Sequence, residues 1–139
     1  MDANSIIAGF AALGGVGSAV VALMVYYQRL KLERAKWALS LYEKFYERDS
    51  LKKIRDILDS ESGDSEVESL VLKCPADFTD YLNFFEFVGF LQMNGHLKLS
   101  EVEGLFDYYL RCLNRHPRVK NFILENGYED LDKLLADWK

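Results

Sequence analysis

The hydrophobic pattern of the chain changes abruptly after residue 27. Residues 6–27 read IIAGFAALGGVGSAVVALMVYY and contain no charged side chain. As an α-helix this stretch would be roughly 33 Å long, enough to cross a hydrocarbon core of about 30 Å. A buried core helix of this length would be unusual in so small a domain, and an interfacial helix would need a charged face. A cleaved signal peptide would need a basic start, whereas the only charge before the stretch is Asp2. The pattern therefore predicts one N-terminal transmembrane helix.

The charges that flank this stretch predict its orientation. Four basic residues and one acidic residue follow it closely, and the basic residues are Arg29, Lys31, Arg34 and Lys36. Because positive charge is concentrated on the cytoplasmic side of single-span proteins, we expect the C-terminal part of the chain to lie in the cytoplasm. The expected domains are residues 1–28, the tail and transmembrane helix, and residues 29–139, the cytoplasmic domain.

Small residues recur along the predicted membrane helix at a spacing of four. They form two adjacent rows, Ala11, Gly15 and Ala19, and Gly14, Ser18 and Ala22. Small side chains allow helix backbones to approach closely in lipid. The pattern predicts self-association of these helices and leaves open whether they line a pore or only anchor the chain. A pore of this kind would have a mostly apolar wall, with the four basic residues as a positive ring at its cytoplasmic mouth.

Beyond residue 28 the chain shows helical periodicity and no alternating strand pattern. Helices are predicted over residues 28–48, 51–58, 77–94, 100–114, 118–126 and 131–138. The sequence of residues 100–103, SEVE, predicts a capping box at the start of the fourth of these helices. Residues 59–69, DSESGDSEVES, contain five acids and predict a flexible, solvated loop. The expected fold class is all-α, with the transmembrane helix continuing into a small cytoplasmic helical bundle.

One carboxylate stands within the most aromatic of these helices. Residues 77–94 are apolar around most of the helix, which predicts that other helices surround it. Glu86 interrupts this surface on a narrow polar stripe with Thr79 and Asn83. Such a carboxylate is either an active group with a raised pKa, the partner of an Arg or Lys on a neighbouring helix, or simply exposed. The sequence leaves these alternatives open.

Composition excludes several classes of function. The formal charge of −5 over 139 residues argues against a general nucleic-acid binder, and we expect no DNA partner. Cys74 and Cys112 lack metal or redox spacing and are expected to be reduced thiols. Neither His96 nor His116 has a second ligand at metal spacing, and no nucleotide-binding or triad motif is present. We therefore expect no metal and no cofactor.

One short motif suggests chemistry. Residues 111–116, RCLNRH, resemble the R-x4-6-H signature of HEPN-type ribonucleases, although Cys112 departs from the residue types usual after the Arg. The resemblance implies that His116 would move a proton from a ribose 2′-hydroxyl while Arg111 held the phosphate. The alternative is structural: Arg111 pairs with Asp107 one turn earlier, and His116 satisfies carbonyls at a helix end. We expect the protein not to be an enzyme.

The combination of a small-residue span, a short all-helical domain and this degenerate motif resembles the small membrane accessory proteins of type VI-B CRISPR systems. The resemblance implies a homo-oligomeric pore in the bacterial inner membrane, acting beside an RNA-guided ribonuclease or a signal that it generates. It implies that Gly14, Gly15, Ser18 and Ala19 contribute to subunit contacts or the channel wall, and that the RCLNRH segment supports assembly.

The chain also resembles, more loosely, bacterial single-span membrane proteins with an N-x-x-E sequence, here residues 83–86, a likeness that implies no activity. Two alternatives to a pore stay open. One is a membrane-tethered interaction module that recruits a cytosolic partner, and the other is a membrane-bound HEPN ribonuclease.

Overall fold

The structure is a computed structural model that describes residues 3–60, 64–136 and 138, with side chains from residue 17 onward except at residue 64. This part of the chain contains seven helices and no strand, which confirms the all-α fold class. The helices are α1 (Ala3–Glu47), α2 (Asp49–Asp59), α3 (Asp64–Lys73), α4 (Ala76–Met93), α5 (Leu99–Arg115), α6 (Pro117–Glu125) and α7 (Glu129–Ala136).

The chain divides into two compact units, Met1–Lys36 and Trp37–Lys139. In the first unit the described structure is the N-terminal part of α1. The second unit contains the end of α1 and the other six helices. The predicted continuation of the first helix to about residue 48 is confirmed, because α1 runs without interruption to Glu47. The predicted boundary between residues 28 and 29 concerns the membrane and stays a prediction.

Among the described residues, no helix is both long and apolar enough to cross a membrane. Side chains 6–16 of the predicted transmembrane helix lie outside the described part of the chain. The transmembrane role of residues 6–27 therefore stays a prediction. In residues 17–27, whose side chains are described, the large apolar side chains are between 44% and 61% exposed. They are Val20, Val21, Leu23, Met24, Val25, Tyr26 and Tyr27.

The core of the second unit is built around one aromatic side chain near the end of α1. Phe45 is fully buried, and five rings from other helices surround it with centroids 4.8–6.0 Å away. Most of these contacts are edge-on or tilted, the arrangements that aromatic rings prefer. The surrounding rings come from α4 and α5: Tyr81, Phe84, Phe85, Phe106 and Tyr109. This cluster fixes the end of α1 to α4 and α5.

A buried cation from α2 completes this cluster. The guanidinium of Arg55 lies 4.7 Å from the ring centre of Phe45 and 5.0 Å from that of Tyr46. Its Nη1 donates a hydrogen bond to the carbonyl oxygen of Phe45, in the last turn of α1. The faces of aromatic rings and the carbonyl end of a helix both attract positive charge. Arg55 is only 9% exposed, and these contacts offset the free-energy cost of removing its charge from water.

The acidic segment is mostly helical, so the predicted loop over residues 59–69 is wrong for the residues that the structure describes. The helix α2 extends through Asp59, and α3 begins at Asp64; residues 61–63 lie outside the described part. Val67 and Leu70 are buried in the core, and the acidic Glu66, directly before Val67, is exposed. Val67 and Leu70, together with the partly buried Val71, thus anchor a helix whose other face is acidic.

The start of α5 also differs from the prediction. The N-cap is Lys98, whose backbone N–H donates to Oε2 of Glu101 at 2.7 Å. The predicted box assigned these roles to Ser100 and Glu103, two residues later. Leu97 belongs to the core, and Leu99 packs against the core. These apolar contacts stabilise an earlier start of α5. The N-cap of α5 therefore lies two residues before the N-cap that the SEVE sequence predicts.

The helices α4 and α7 approach each other at Gly89. A Cβ atom at this position would lie 2.6 Å from the carbonyl oxygen of Asp130 and 3.2 Å from the backbone nitrogen of Leu131. Both distances are shorter than an ordinary van der Waals contact. The absence of a side chain at residue 89 thus allows the backbone of α7 to pack directly on α4.

We expect Gly89→Ala to destabilise the second unit by about 1–3 kcal/mol, because the new methyl group must displace the backbone of α7. The measurement is the urea midpoint of the full-length protein, followed by tryptophan fluorescence. Gly104→Ala is the matched control. Gly104 is helical, and a Cβ there meets nothing within 4 Å. The control should stabilise by about 0.5–1 kcal/mol through helix propensity. Equal effects of the two substitutions would contradict the close approach.

Candidate functional site

The motif residue Arg111 lies on α5 and is held by an acidic neighbour. Its Nε donates to Oδ1 and Oδ2 of Asp107, at 2.9 Å and 3.0 Å. The guanidinium is largely exposed to solvent. The predicted pair of Arg111 with the acid one helical turn earlier is confirmed, so this Arg has a structural partner.

Asp107 also fixes the end of the chain. The indole Nε1 of Trp138 donates to Oδ1 of Asp107 at 2.9 Å, and Nδ2 of Asn114 donates to the carbonyl oxygen of Trp138 at 2.7 Å. Trp138 is 5% exposed. The hydrogen bonds from Arg111 and then from Trp138 hold the pKa of Asp107 below its usual value. Sequence analysis missed this contact, since it joins residues 31 positions apart.

The motif residue His116 lies between α5 and α6 and is half-buried. Its Nε2 lies 3.4 Å from the carbonyl oxygen of Leu58, in the last turn of α2. The predicted structural role, in which the imidazole satisfies a carbonyl at a helix end, is confirmed. The helix concerned is α2 rather than α5, because the tertiary fold brings Leu58 to the start of α6.

A half-open cavity of about 440 Å³ lies beside His116. Its other lining residues are Val67 and Glu68 from α3 and Pro117 and Arg118 from α6. The guanidinium of Arg118 forms an ion pair with Glu68 across this cavity. The cationic side chain next to His116 in this cavity is therefore that of Arg118 rather than Arg111, and it is already paired with the carboxylate of Glu68.

The structure thus gives Arg111 and His116 different partners on different elements. A HEPN-type reaction would need both side chains at one phosphate. The ribonuclease interpretation, which would require rearrangement or a second chain, stays a hypothesis.

The two cysteines differ in burial. Cys112, between Arg111 and His116 in sequence, is buried, and burial raises the pKa of its thiol, which makes it a poor nucleophile. The thiol of Cys74 is exposed.

The carboxylate of Glu86 caps a helix. Its Oε2 accepts a hydrogen bond from the backbone N–H of Leu131 at 2.8 Å, and its Oε1 accepts one from that of Asp130 at 3.2 Å. Both donors belong to the first turn of α7. A negative charge is favourable at this end of a helix, where N–H groups lack partners inside the helix. The partner is therefore a helix N-terminus, which was not among the alternatives that the sequence suggested.

The predicted oligomerisation residues lie on α1. Ala11, Gly14 and Gly15 fall outside the residues whose side chains are described, and the other three, Ser18, Ala19 and Ala22, are exposed. Of the predicted cytoplasmic mouth, Arg34 is half-buried, and Arg29, Lys31 and Lys36 are exposed. Their proposed roles require several chains and stay predictions. No group of three or more potential metal ligands occurs in the described residues.

The chain matches no protein-family model, no curated protein and no solved structure. The likeness to CRISPR accessory proteins therefore stays a resemblance.

We expect acid to release Trp138 from Asp107. Because the folded state lowers the pKa of Asp107, this contact stabilises the fold fully above the ordinary carboxyl pKa and is lost as the pH falls through the lowered value. The measurement is a fluorescence titration from about pH 6 to pH 2 on a Trp37→Phe background, which leaves Trp138 as the one indole.

Arg111→Ala should move this transition to higher pH, because it removes the group that lowers the Asp107 pKa most. Arg115→Ala is the matched control, since it removes another exposed arginine from the same helix. Identical midpoints for the two variants would show that Arg111 does not act on this carboxylate.

We expect Glu86→Gln to destabilise the second unit by about 1–2 kcal/mol, because the neutral amide interacts more weakly with the N-terminus of α7. The measurement combines the urea midpoint with hydrogen exchange at the amides of Asp130 and Leu131, which should lose protection. Glu103→Gln, at an exposed position of α5, should change stability by less than about 0.5 kcal/mol. Unchanged protection of both amides would refute the cap.

Proposed function

We propose that this protein is a single-span, homo-oligomeric membrane protein that forms a pore in the bacterial inner membrane as part of CRISPR-linked antiviral defence. The observation that carries the proposal is the uncharged stretch of residues 6–27, which lies within one uninterrupted helix of 45 residues. In this proposal the second unit lies in the cytoplasm and responds to an RNA-guided ribonuclease or to a signal that it generates.

The surface of the first unit supports a lipid environment for α1. Within residues 17–27 the large apolar side chains are all substantially exposed, and they follow one another around the helix. Exposure of apolar surface to water costs about 25 cal/mol for each Å². A helix that is apolar all round is stable when other helices or lipid surround it. Lipid around the helix and other copies of α1 would together cover this surface.

The small residues and the basic turn support a pore rather than a simple anchor. Ser18, Ala19 and Ala22 leave little side-chain volume on α1, which would allow close approach of neighbouring helices. The basic residues that follow would form a ring of positive charge at the cytoplasmic mouth and would favour anions. The RCLNRH segment contributes to the stability of the second unit in this proposal, through the contacts of Arg111 and His116.

The second candidate is a membrane-tethered interaction module that conducts no ions. It is favoured by the exposed apolar side chains of the second unit taken together, which offer a surface for another protein and include Leu72, Phe87, Phe90 and Tyr108. The two candidates share the transmembrane helix. They differ in the number of copies and in ion flux, and both quantities can be measured on the full-length protein.

The deciding experiment is electron microscopy of the detergent-solubilised protein, with ion flux into liposomes that contain it. A pore predicts particles with rotational symmetry around a central axis and rapid flux. Charge reversal by Lys31→Glu with Arg34→Glu should shift the ion preference towards cations. The control pair is Lys44→Glu with Lys52→Glu, exposed positions of α1 and α2. Monomeric particles without flux would refute the pore and leave the tethered module.

A further inference from the structure

Three aromatic side chains form an exposed patch on the second unit. Trp37 of α1 and Phe87 and Phe90 of α4 are 41%, 41% and 46% exposed. The rings of Trp37 and Phe87 meet edge-on with centroids 6.4 Å apart, and those of Phe87 and Phe90 are stacked at 6.3 Å. Asn83, one turn before Phe87 on α4, and Asn94, the residue that follows α4, are exposed and uncharged. These three rings are the aromatic patch.

The aromatic patch does not belong to the core of the second unit. Other faces of α4 serve the fold: Phe85 is fully buried in the aromatic cluster, and Glu86 and Gly89 hold α7. Phe87 and Phe90 project from the remaining face. Apolar surface that folding leaves exposed marks interaction sites, and aromatic side chains are enriched at the centres of protein interfaces. The patch therefore points to a partner.

The size of the patch limits what that partner can be. With the exposures above, three aromatic side chains present about 250 Å² of accessible surface. A stable complex between proteins that meet in solution buries about 800 Å² on each partner. The patch is too small to hold a freely diffusing protein by itself. It is large enough for a contact between molecules that another interface already keeps together, because the second contact then forms at high effective concentration.

Lipid is the alternative partner for exposed aromatic side chains, and the experiment below distinguishes lipid from protein.

We propose that the aromatic patch packs against a neighbouring copy of this chain in the assembled oligomer. This inference rests on the proposed function, since association of the α1 helices supplies the first interface. In a ring, each contact joins two different surfaces of neighbouring subunits. The patch therefore meets another part of its neighbour and need not meet itself.

The test is photo-cross-linking in membranes that contain the full-length protein. The photoreactive residue p-benzoylphenylalanine replaces Phe90, a change that keeps an aromatic ring at that position. The matched control places it at Leu124, on α6, which is 56% exposed. We expect a covalent dimer from position 90, with both cross-linked peptides assigned to this chain by mass spectrometry, and little product from position 124.

Each other result would overturn the inference. Adducts of position 90 with lipid, or with a different protein, would identify another partner. Equal dimer yields from both positions would indicate random collision. Particles with rotational symmetry but no dimer from position 90 would reject the patch and leave the proposed pore intact. A monomeric protein would reject both.

A second measurement tests the energetic role of the patch. Phe90→Ser should raise the dissociation constant of the oligomer in detergent about tenfold, as for the loss of one aromatic contact, whereas Leu124→Ser should leave it unchanged. Phe90 is largely outside the core, so the fold of the monomer should survive, and an unchanged urea midpoint checks this. Equal dissociation constants for the two variants would contradict the inference.

Discussion

The contact on which the second unit depends most is the enclosure of Phe45. This ring sits near the end of α1, where five rings from α4 and α5 surround it and the guanidinium of Arg55 lies over it. Arg55 also donates to the carbonyl of Phe45, so one side chain satisfies the end of α1 and covers its aromatic anchor. The arrangement joins α1, α2, α4 and α5 at one point. The charge of Arg55 can be buried there because aromatic rings and a helix carbonyl oxygen replace the water that would otherwise solvate it.

The helix α4 distributes its functions over separate faces. One face contributes rings such as Phe85 to the cluster, another holds α7 through Glu86 and Gly89, and the third presents Phe87 and Phe90 to solvent. The carboxylate that looked like a candidate active group is thus a cap, and the exposed rings are the feature that the fold leaves unexplained.

The segment of Arg111 and His116 illustrates how a short motif can serve the fold. Arg111 and Trp138 share Asp107, and His116 reaches the carbonyl of Leu58 on α2. These contacts fix the last helices of the chain. They also give an Arg and a His at this spacing a structural role in the fold.

Local patterns in the sequence determined much of the fold. Helical periodicity predicted six of the seven described helices in their order and missed α3, and the i,i+4 spacing predicted the pair of Arg111 with Asp107. These features depend on neighbours within one or two turns. The long uncharged stretch likewise rests on sequence alone, and it carries the proposed membrane function.

Only the tertiary structure decided where the remaining polar groups find partners. Glu86 meets α7 across 45 residues of chain, and Trp138 meets Asp107 across 31. The acidic segment became α3 because Val67 and Leu70 reach the core. The physical reason is the same in each case. A partner supplied by a distant element leaves no periodic signal, since the free energy of the contact arises from packing that the local sequence does not encode.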